Sequence, residues 1–239
     1  MIGLGTIINA GAIVVGGLLG LLLKNALPQR ISDTLTKAIG ICVLFIGLSG
    51  ALQNMFTIED GALSVGGTMM TIFSFIGGSI LGGALDLEGR LERFGVWLRK
   101  RAGADGDSGF LNAFLTASFT VCIGAMAVVG AINDGLFGDI SLLVTKSILD
   151  AIIIMVMSAT MGKGCIFSAI PVALFQGLVT LFARFLQPVM TAQATSNLAL
   201  TGSILVFCVG VNLIWDQQRL KVANMLPTLI FAVALAFVL

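Results

Sequence analysis

The sequence predicts an all-α fold, a polytopic bundle of about eight transmembrane helices. The first observation is composition, since 57% of the 239 residues are apolar and only 10% are charged, against roughly 25% charged residues in soluble domains. The second is the mean hydropathy of +1.07. The third is the spacing of the apolar runs, because a bilayer core of about 30 Å takes about 20 apolar residues per helix. Eight segments meet or approach that length: 2–23, 33–53, 64–85, 110–131, 140–161, 164–186, 196–215 and 222–239.

These segments leave no hydrophilic block long enough for a separate soluble domain, so residues 1–239 are expected to form a single membrane domain. One longer connection, segment 87–107, alternates apolar residues with glutamate and arginine. That pattern is typical of an amphipathic, basic helix lying on the membrane surface. Central helices are then expected over 110–161.

The orientation follows from the positions of Lys and Arg, which accumulate in cytoplasmic loops. With the N-terminus outside, inner loops hold 11 of the 13 basic residues: Lys24, Arg30, Lys37, Arg90, Arg93, Arg99, Lys100, Arg101, Lys163, Arg219 and Lys221. The outer loops carry Glu59 with Asp60 and Asp134 with Asp139. This distribution favours eight crossings with both termini outside.

A weak internal repeat relates the two ends of the chain. Gly17 to Pro28 matches Gly177 to Pro188 at an offset of 160. Similar matches join the second expected segment, 33–53, to the seventh, 196–215, and the third, 64–85, to the eighth, 222–239. Residues 2–86 and 164–239 would then form two repeats. Because the offset is five helices, the repeats would cross the membrane in opposite directions, an arrangement found in many secondary transporters. Chance similarity between Gly- and Leu-rich helices is the alternative.

Small residues recur at intervals of four in helix 3, where Gly78 and Gly82 share one face and Ser79 and Gly83 another. Small residues let helix backbones approach closely in lipid. These faces are expected either to pack against helices of the same chain or to form a homodimer.

Charged residues within the apolar segments are the main candidates for a functional site. Lys146 and Asp150 are four residues apart and share a helix face, while a charge in mid-membrane costs about 2.5–3.5 kcal/mol on insertion scales. A neutral cluster of Lys146 with Asp150, or with Asp134, would avoid that cost. It could serve as a coupling-ion or proton site, or as a structural ion pair; Ser147 lies beside it.

The helical pattern is expected to break at Asn133, Asp134 and Gly135, which are followed by Gly138 and Asp139. Irregular backbone at membrane depth is tolerated where it is buried in protein or lines a water-filled cavity. Asp134 is therefore a candidate site residue. Asp139 can instead serve as the N-cap of the helix that begins near Ile140.

A polar stripe runs along helix 4, where Asn112, Thr116 and Thr120 recur every four residues. Residues at this spacing occupy one helix face. Such a stripe is expected to face another helix or a permeation pathway.

Several classes of function are disfavoured. The chain has no His, which removes His-based metal sites and His general bases, and no enzyme, cofactor or metal motif is present. A net charge of +1 gives no basic surface for nucleic acid. The four cysteines lie in apolar runs and are expected to pack there rather than to form disulfides.

Four motifs together resemble the YqgA/YdfK-like family of bacterial inner-membrane proteins: INDGLFGD, KSILD, GKGCIFSAIPVALFQG and VANMLP. The resemblance extends over essentially the entire chain and implies a multi-pass protein of the bacterial cytoplasmic membrane. It places an acidic-Gly-x-x-Gly-Asp pattern on Asp134, Gly135, Gly138 and Asp139, and a Lys-Ser-x-x-Asp pattern on Lys146, Ser147 and Asp150. It implies no particular reaction.

The sequence thus predicts a small secondary transporter for a small polar solute or ion, coupled to H⁺ or Na⁺, with the lipid bilayer as its other partner. A passive, dimeric channel is the first alternative. A membrane scaffold or sensor that signals through segment 88–101 is the second.

Overall fold

Long apolar helices account for most of the chain in the computed structural model, which describes residues 2–24, 28–59, 62–104, 106–215 and 220–238. A 3₁₀ helix, Lys163–Ser168, continues directly into the α-helix that begins at Ala169. Asp60 and Arg219, used above to predict the orientation, lie outside the described residues. The α-helices are α1 (Leu4–Lys24), α2 (Gln29–Met55), α3 (Thr68–Ala84), α4 (Leu87–Arg101), α5 (Phe110–Cys122), α6 (Ala125–Phe137), α7 (Ser141–Met161), α8 (Ala169–Leu181), α9 (Ala183–Leu186), α10 (Ala192–Ile214), α11 (Val222–Met225) and α12 (Thr228–Leu235).

The predicted fold class, an all-α polytopic bundle, is confirmed. Within the described residues, five helical stretches are long and apolar enough to cross a membrane, and up to seven if each of two bent pairs forms one span. The bent pairs are α3 with α4, at 55°, and α5 with α6, at 63°. The eighth expected segment, 222–239, contains only the short helices α11 and α12, separated at Pro227.

Three helix pairs pack closely through glycine. A Cβ atom on Gly20 of α1 would lie 2.1 Å from the Met155 carbonyl oxygen of α7, and one on Gly47 of α2 would lie 2.4 Å from the Phe207 nitrogen of α10. A Cβ atom on Gly82 of α3 would be similarly close to the Asn224 carbonyl oxygen of α11. Backbones that approach this closely make van der Waals contacts that larger residues would prevent.

The direction of each pair agrees with alternating membrane crossings. Contacts from α1 to α7 advance together along both helices, since Gly16 meets Ala151 and Gly20 meets Met155, so these helices are parallel. Contacts between α2 and α10 run in opposite senses, as expected for an even-numbered and an odd-numbered span: Gly40 meets Ile214, Gly47 meets Phe207 and Gly50 meets Ser203.

Gly78 and Gly82 pack inside the chain, the first of the two alternatives raised for helix 3. They contact Thr228 and Asn224 respectively. Gly83 is exposed, and a Cβ there would meet nothing within 4 Å. A homodimer therefore stays a prediction.

The segment expected as helix 64–85 begins instead with a strand. Residues Phe56–Glu59 (β1) and Ala62–Val65 (β2) pair antiparallel, with Phe56 opposite Val65, and α3 begins at Thr68. The β-branched and aromatic residues in this stretch suit a hairpin. The hairpin connects the end of α2 to the start of α3.

The amphipathic segment predicted over 87–107 contains the helix α4. Its apolar side packs on α5, where Leu98 clusters with Phe110 and Phe114. On its other side Trp97 is exposed and stacks on Phe94. The helix is thus partly covered by its own bundle and presents a basic outer face.

Candidate functional site

The apolar segment formed by α5 and α6 is broken in its middle. Ile123 has extended backbone, with φ −84° and ψ 124°, and Gly124 has φ 149° and ψ 149°. A positive φ in this region is essentially restricted to glycine. The helix therefore ends at Cys122 and restarts at Ala125, and the last carbonyl groups of α5 lose their usual backbone donors.

The break predicted over Asn133–Asp139 is present only in its second half, at Gly138 and Asp139, and the break at Ile123 and Gly124 was not predicted. Asn133, Asp134 and Gly135 are helical and belong to α6, which ends at Phe137 with Gly138 in the left-handed conformation. Gly135 remains in the helix because it packs tightly, since a Cβ there would lie 2.5 Å from the Thr180 carbonyl oxygen. Gly135 therefore allows close helix packing, whereas Gly124 and Gly138 interrupt the helices of this region.

Lys146 of α7 bridges the broken segment to Asp150. Its Nζ donates to Asp150 Oδ2 at 2.6 Å and to the backbone carbonyl oxygen of Val121 at 2.8 Å. Val121 lies in the last turn of α5, where the helix dipole leaves partial negative charge. The ammonium group thus contacts both a carboxylate and the carbonyl end of a helix. The ion-pair partner of Lys146 is Asp150 and not Asp134.

Two amide side chains complete this polar cluster. Asn9 of α1 donates from Nδ2 to Asp150 Oδ2 at 3.1 Å and to Gln176 Oε1 of α8 at 3.3 Å. We refer to Asn9, Lys146, Asp150, Gln176 and the Val121 carbonyl as the Asp150 cluster. Elements α1, α5, α7 and α8 each contribute one or two of its groups, so any relative movement of these helices would alter it.

The Asp150 cluster is almost inaccessible. Lys146 is 7% exposed and Asp150 4%, while Asn9 and Gln176 are fully buried. A buried ion pair is tolerated only with good geometry and further hydrogen bonds, because desolvation opposes the attraction between the charges. Both conditions are met for Asp150 Oδ2, which accepts from two donors.

Among the residues that the structure describes, two polar atoms of the cluster have no hydrogen-bond partner. They are Asn9 Oδ1 and Gln176 Nε2, both buried. An unpaired buried polar atom costs about 1–3 kcal/mol. These two adjacent atoms are therefore free to accept from, or donate to, a further polar group.

Asp134 has a separate role, as a cap for α1. Its two carboxylate oxygens accept the backbone N–H groups of Gly3 and Gly5, each at 3.0 Å, and its side chain is fully buried. A carboxylate at a helix N-terminus accepts hydrogen bonds from free N–H groups and interacts favourably with the positive end of the helix dipole. The structure therefore places Asp134 outside the Asp150 cluster and gives it a positioning role on α1.

Asp139 lies at the bundle surface, one residue before Ile140, which occupies the N-cap position of α7. Its carboxylate accepts from the backbone N–H and the hydroxyl of Ser141. These hydrogen bonds lower the pKa of Asp139 below its usual value. Ser147, although adjacent to Lys146, donates to the Leu143 carbonyl of its own helix, and Asn133 is half-buried on α6.

The polar stripe on α5 faces a small cleft between helices. Asn112 and Thr116 line a space of about 40 Å³ together with Glu88 of α4, Asn212 of α10 and Leu220. The stripe continues to Thr120, one residue before Val121. The stripe therefore extends along α5 from the end of the bundle that carries α4 toward the helix break.

Sequence reasoning identified the ion pair but missed what surrounds it. The Val121 carbonyl carries no side-chain signal, and Gly124 is one of 30 glycines. Asn9 was detectable as the lone amide in the first apolar segment, and Gln176 as a polar residue in the sixth. Neither position indicates by spacing alone that Asn9 contacts Asp150 and that Gln176 contacts Asn9.

The fold and the site define a class: a multi-pass α-helical membrane protein with a broken helix and a buried Lys–Asp pair beside the break. The chain belongs to the family described as "Protein of unknown function (DUF554)", whose model matches residues 4–237.

Two relatives are similar to the chain over nearly its full length. It is 26% identical over 235 residues to the "Uncharacterized membrane protein YdfK" of Bacillus subtilis (strain 168), covering 98% of this chain and 96% of the relative. It is 25% identical over 240 aligned residues to the "Uncharacterized protein YqgA" of Escherichia coli (strain K12), with the same coverage. No solved structure matches the chain.

Proposed function

We propose that this protein is a small secondary transporter of the bacterial cytoplasmic membrane, which moves a small polar solute or ion in exchange with, or together with, H⁺ or Na⁺. The observation that carries the proposal is the contact between Lys146, Asp150 and the carbonyl end of the broken α5. Broken helices whose ends meet charged groups near the bilayer midplane are a recurrent feature of such transporters. The proposal assigns no enzymatic reaction to the chain.

The depth of the Asp150 cluster supports this function. Asp150 is nine residues into α7, about 13.5 Å from its start at a rise of 1.5 Å per residue. A hydrocarbon core is about 30 Å thick. The ion pair would therefore lie close to the middle of the membrane, where a site must be if it is to open alternately to the two sides.

The packing of α2 against α10 supports an inverted repeat. In the repeat expected from the sequence, Gly40 and Phe45 of α2 correspond to Gly202 and Phe207 of α10 at an offset of 162. These two helices pack directly against each other and run antiparallel, with Gly47 against Phe207 and Gly210 against Leu44. Direct antiparallel packing of two equivalent helices is what a two-fold axis in the membrane plane would produce. Two such halves can rock about a central site.

The structural alternative for the Lys146–Asp150 pair is that it only fixes helix packing. The unpaired Asn9 Oδ1 and Gln176 Nε2 argue against that role, because a purely structural network gains most when every member is satisfied. The polar stripe on α5, which runs toward the helix break, supports transport as well. These two features favour transport over the scaffold and sensor alternatives.

Solid-supported-membrane electrophysiology on proteoliposomes tests the proposal. Wild-type protein would be challenged with H⁺ and Na⁺ concentration jumps, each with and without a panel of small metabolites. A transporter gives a transient, saturable current that depends on a particular solute and a particular ion. A steady current without saturation would indicate the channel alternative, and ion jumps and tracer exchange that both give no flux would contradict the proposal.

A further inference from the structure

We propose that Na⁺ binds in the Asp150 cluster at the place held here by the ammonium group of Lys146. The inference rests on the proposed function, because it names the ion to which transport is coupled. The protein would then alternate between a state in which Lys146 neutralises Asp150 and a state in which a bound monovalent cation does so.

The oxygen atoms around the ammonium group are those that a cation site requires. Lys146 Nζ lies 2.6 Å from Asp150 Oδ2 and 2.8 Å from the Val121 carbonyl oxygen. Hard cations are bound by carboxylate and carbonyl oxygens. Transporters in particular coordinate Na⁺ with carbonyl groups at the C-terminal ends of half-helices, and Val121 occupies such an end.

A third oxygen is available within the cluster. Asn9 Oδ1 is fully buried and has no partner, although the other atom of the same amide, Nδ2, donates to Asp150 Oδ2. Rotation of this amide would bring Oδ1 toward Asp150 and Nδ2 toward the opposite side. Two oxygen atoms in contact with each other repel unless a cation lies between them, so the rotated amide suits the cation-bound state.

Rotation of Asn9 would also use the second unpaired atom. In the present state Gln176 Oε1 accepts from Asn9 and Gln176 Nε2 has no partner. If the Gln176 amide rotates as well, its Nε2 could donate to the inward-facing Asn9 Oδ1 and hold it in place. The two atoms that have no partner in the Lys146-bound state thus become partners in the Na⁺-bound state, while Asn9 Nδ2 and Gln176 Oε1 lose the hydrogen bond that joins them here.

The charge of the pair determines which cations fit. Lys146 and Asp150 together are neutral, and replacing the ammonium group by one monovalent cation keeps the buried charge at zero. A divalent cation would leave an excess positive charge in a medium of low dielectric constant, where unpaired charge is strongly disfavoured. The site is therefore expected to bind Na⁺ and to reject Mg²⁺ and Ca²⁺.

Lys146 has a path by which to leave. It is five residues into α7, about 7.5 Å from the start of the helix. A lysine side chain at such a depth can extend its ammonium group to the membrane interface. Release of Lys146 toward the outer surface would open the cluster on that side and allow Na⁺ to enter.

The test compares the Na⁺ dependence of thermal unfolding in the purified full-length protein. Melting temperatures would be measured in NaCl against N-methyl-D-glucamine chloride at constant ionic strength, for wild type, Lys146→Met and Asp150→Asn. A ligand that binds only the folded state raises stability in a saturable way. We expect Na⁺ to stabilise wild type. In Lys146→Met, which loses the competing ammonium group but keeps an alkyl chain of similar length, saturation should come at about tenfold lower Na⁺, a difference of about 1.4 kcal/mol in binding.

Asp150→Asn should lose the Na⁺ effect, and Lys163→Met, an exposed lysine outside the cluster, should keep the wild-type response. Binding of ²²Na⁺ to wild type, displaced by unlabelled Na⁺ but not by Mg²⁺, gives a second measurement if a variant does not fold. Equal Na⁺ responses in Lys146→Met and wild type, or a response retained in Asp150→Asn, would overturn the Na⁺ site. If Na⁺ has no effect while H⁺ jumps drive a current that requires Asp150, the Na⁺ site is wrong and the proposed transporter stands.

Discussion

The ammonium nitrogen of Lys146 lies 2.8 Å from the carbonyl oxygen of Val121, at the point where α5 ends in the middle of the bundle. In a continuous helix that carbonyl would accept a backbone N–H four residues further along. A side chain of α7 has taken over this role. The ion pair with Asp150 and the break in α5–α6 are therefore one structural unit, and a change in either should affect the other.

Lys146→Met is expected to destabilise the protein in Na⁺-free buffer. The substitution leaves Asp150 buried without its counter-charge, and breaking a buried pair in this way costs about 3–5 kcal/mol. The free energy of unfolding, measured by thermal or denaturant titration in detergent, should fall by that amount. The double variant Lys146→Met with Asp150→Asn should recover most of the loss, because no uncompensated charge remains.

The matched control for this prediction is Lys163→Met. Lys163 is exposed at the start of the 3₁₀ helix, and surface substitutions usually change stability by less than about 0.5 kcal/mol. If the double variant were no more stable than Lys146→Met alone, the two side chains would not act as a pair.

Gly124→Ala should impair transport by straining the helix break. The φ of 149° at this position is unfavourable for any residue with a Cβ, at a cost of about 1–3 kcal/mol. No atom lies within 4 Å of the Cβ position, so the effect would come from the backbone rather than from a clash. Ion-driven flux in proteoliposomes is the measurement.

Gly138→Ala provides the comparison for Gly124→Ala. Gly138 also has a positive φ, 67°, with open space around it, but it ends α6 away from the Asp150 cluster. It should lose a similar amount of stability and keep its flux. Equal loss of flux in both variants would show that strain alone, and not the break beside Val121, explains the result.

Gly20→Val should disrupt the contact between α1 and α7. A Cβ at Gly20 would lie 2.1 Å from the Met155 carbonyl oxygen, whereas at Gly11, on the same helix, it would meet nothing within 4 Å. Forcing extra atoms into a packed contact costs about 1–3 kcal/mol or more. Gly20→Val should therefore lower the melting temperature well below that of Gly11→Val, and similar values for the two would contradict the packing described here.

Glu88→Gln should make stability less sensitive to pH. Burial raises the pKa of the Glu88 carboxyl, opposed in part by the hydrogen bond from the Ala223 N–H and by the charge of Lys221. The folded state then binds the proton more tightly than the unfolded state, so Glu88 reduces stability as pH rises through its unfolded and then its folded pKa. The melting temperature of Glu88→Gln relative to wild type should accordingly be higher at pH 8 than at pH 4. A constant difference across that range would contradict the assignment.

The general fold was predictable from the sequence because membrane helices carry a strong local signal. A run of apolar residues such as Leu4–Lys24 indicates a span by length alone. The Lys146–Asp150 pair was predictable for a related reason: charge is rare in such runs, and a spacing of four places both side chains on one face. Asp139 was expected as the N-cap of the helix that begins near Ile140; it lies one residue before that cap and accepts from Ser141 in the first turn.

The helix break was not predictable, because nothing local distinguishes Gly124 from glycines that pack within helices. Gly135 in the sequence Asn-Asp-Gly resembles a turn, yet it stays helical because α8 and α9 lie against it. Asp134 was a candidate partner for Lys146. Its carboxylate instead binds the start of α1, where Gly5 lies 129 residues away from it in the sequence. Such contacts are set by tertiary packing, which a single sequence does not encode in local patterns.

Ion-driven flux in Asp150→Asn tests the central claim most directly. Wild type, Asp150→Asn and the control Asp86→Asn would be reconstituted at equal density and given the same ion and solute jumps. Asp86 is exposed in the cap of α4, and asparagine suits its left-handed backbone. We expect that Asp150→Asn remains folded and loses the coupled current, whereas Asp86→Asn retains it. Full coupled transport by Asp150→Asn would contradict the assignment of this site.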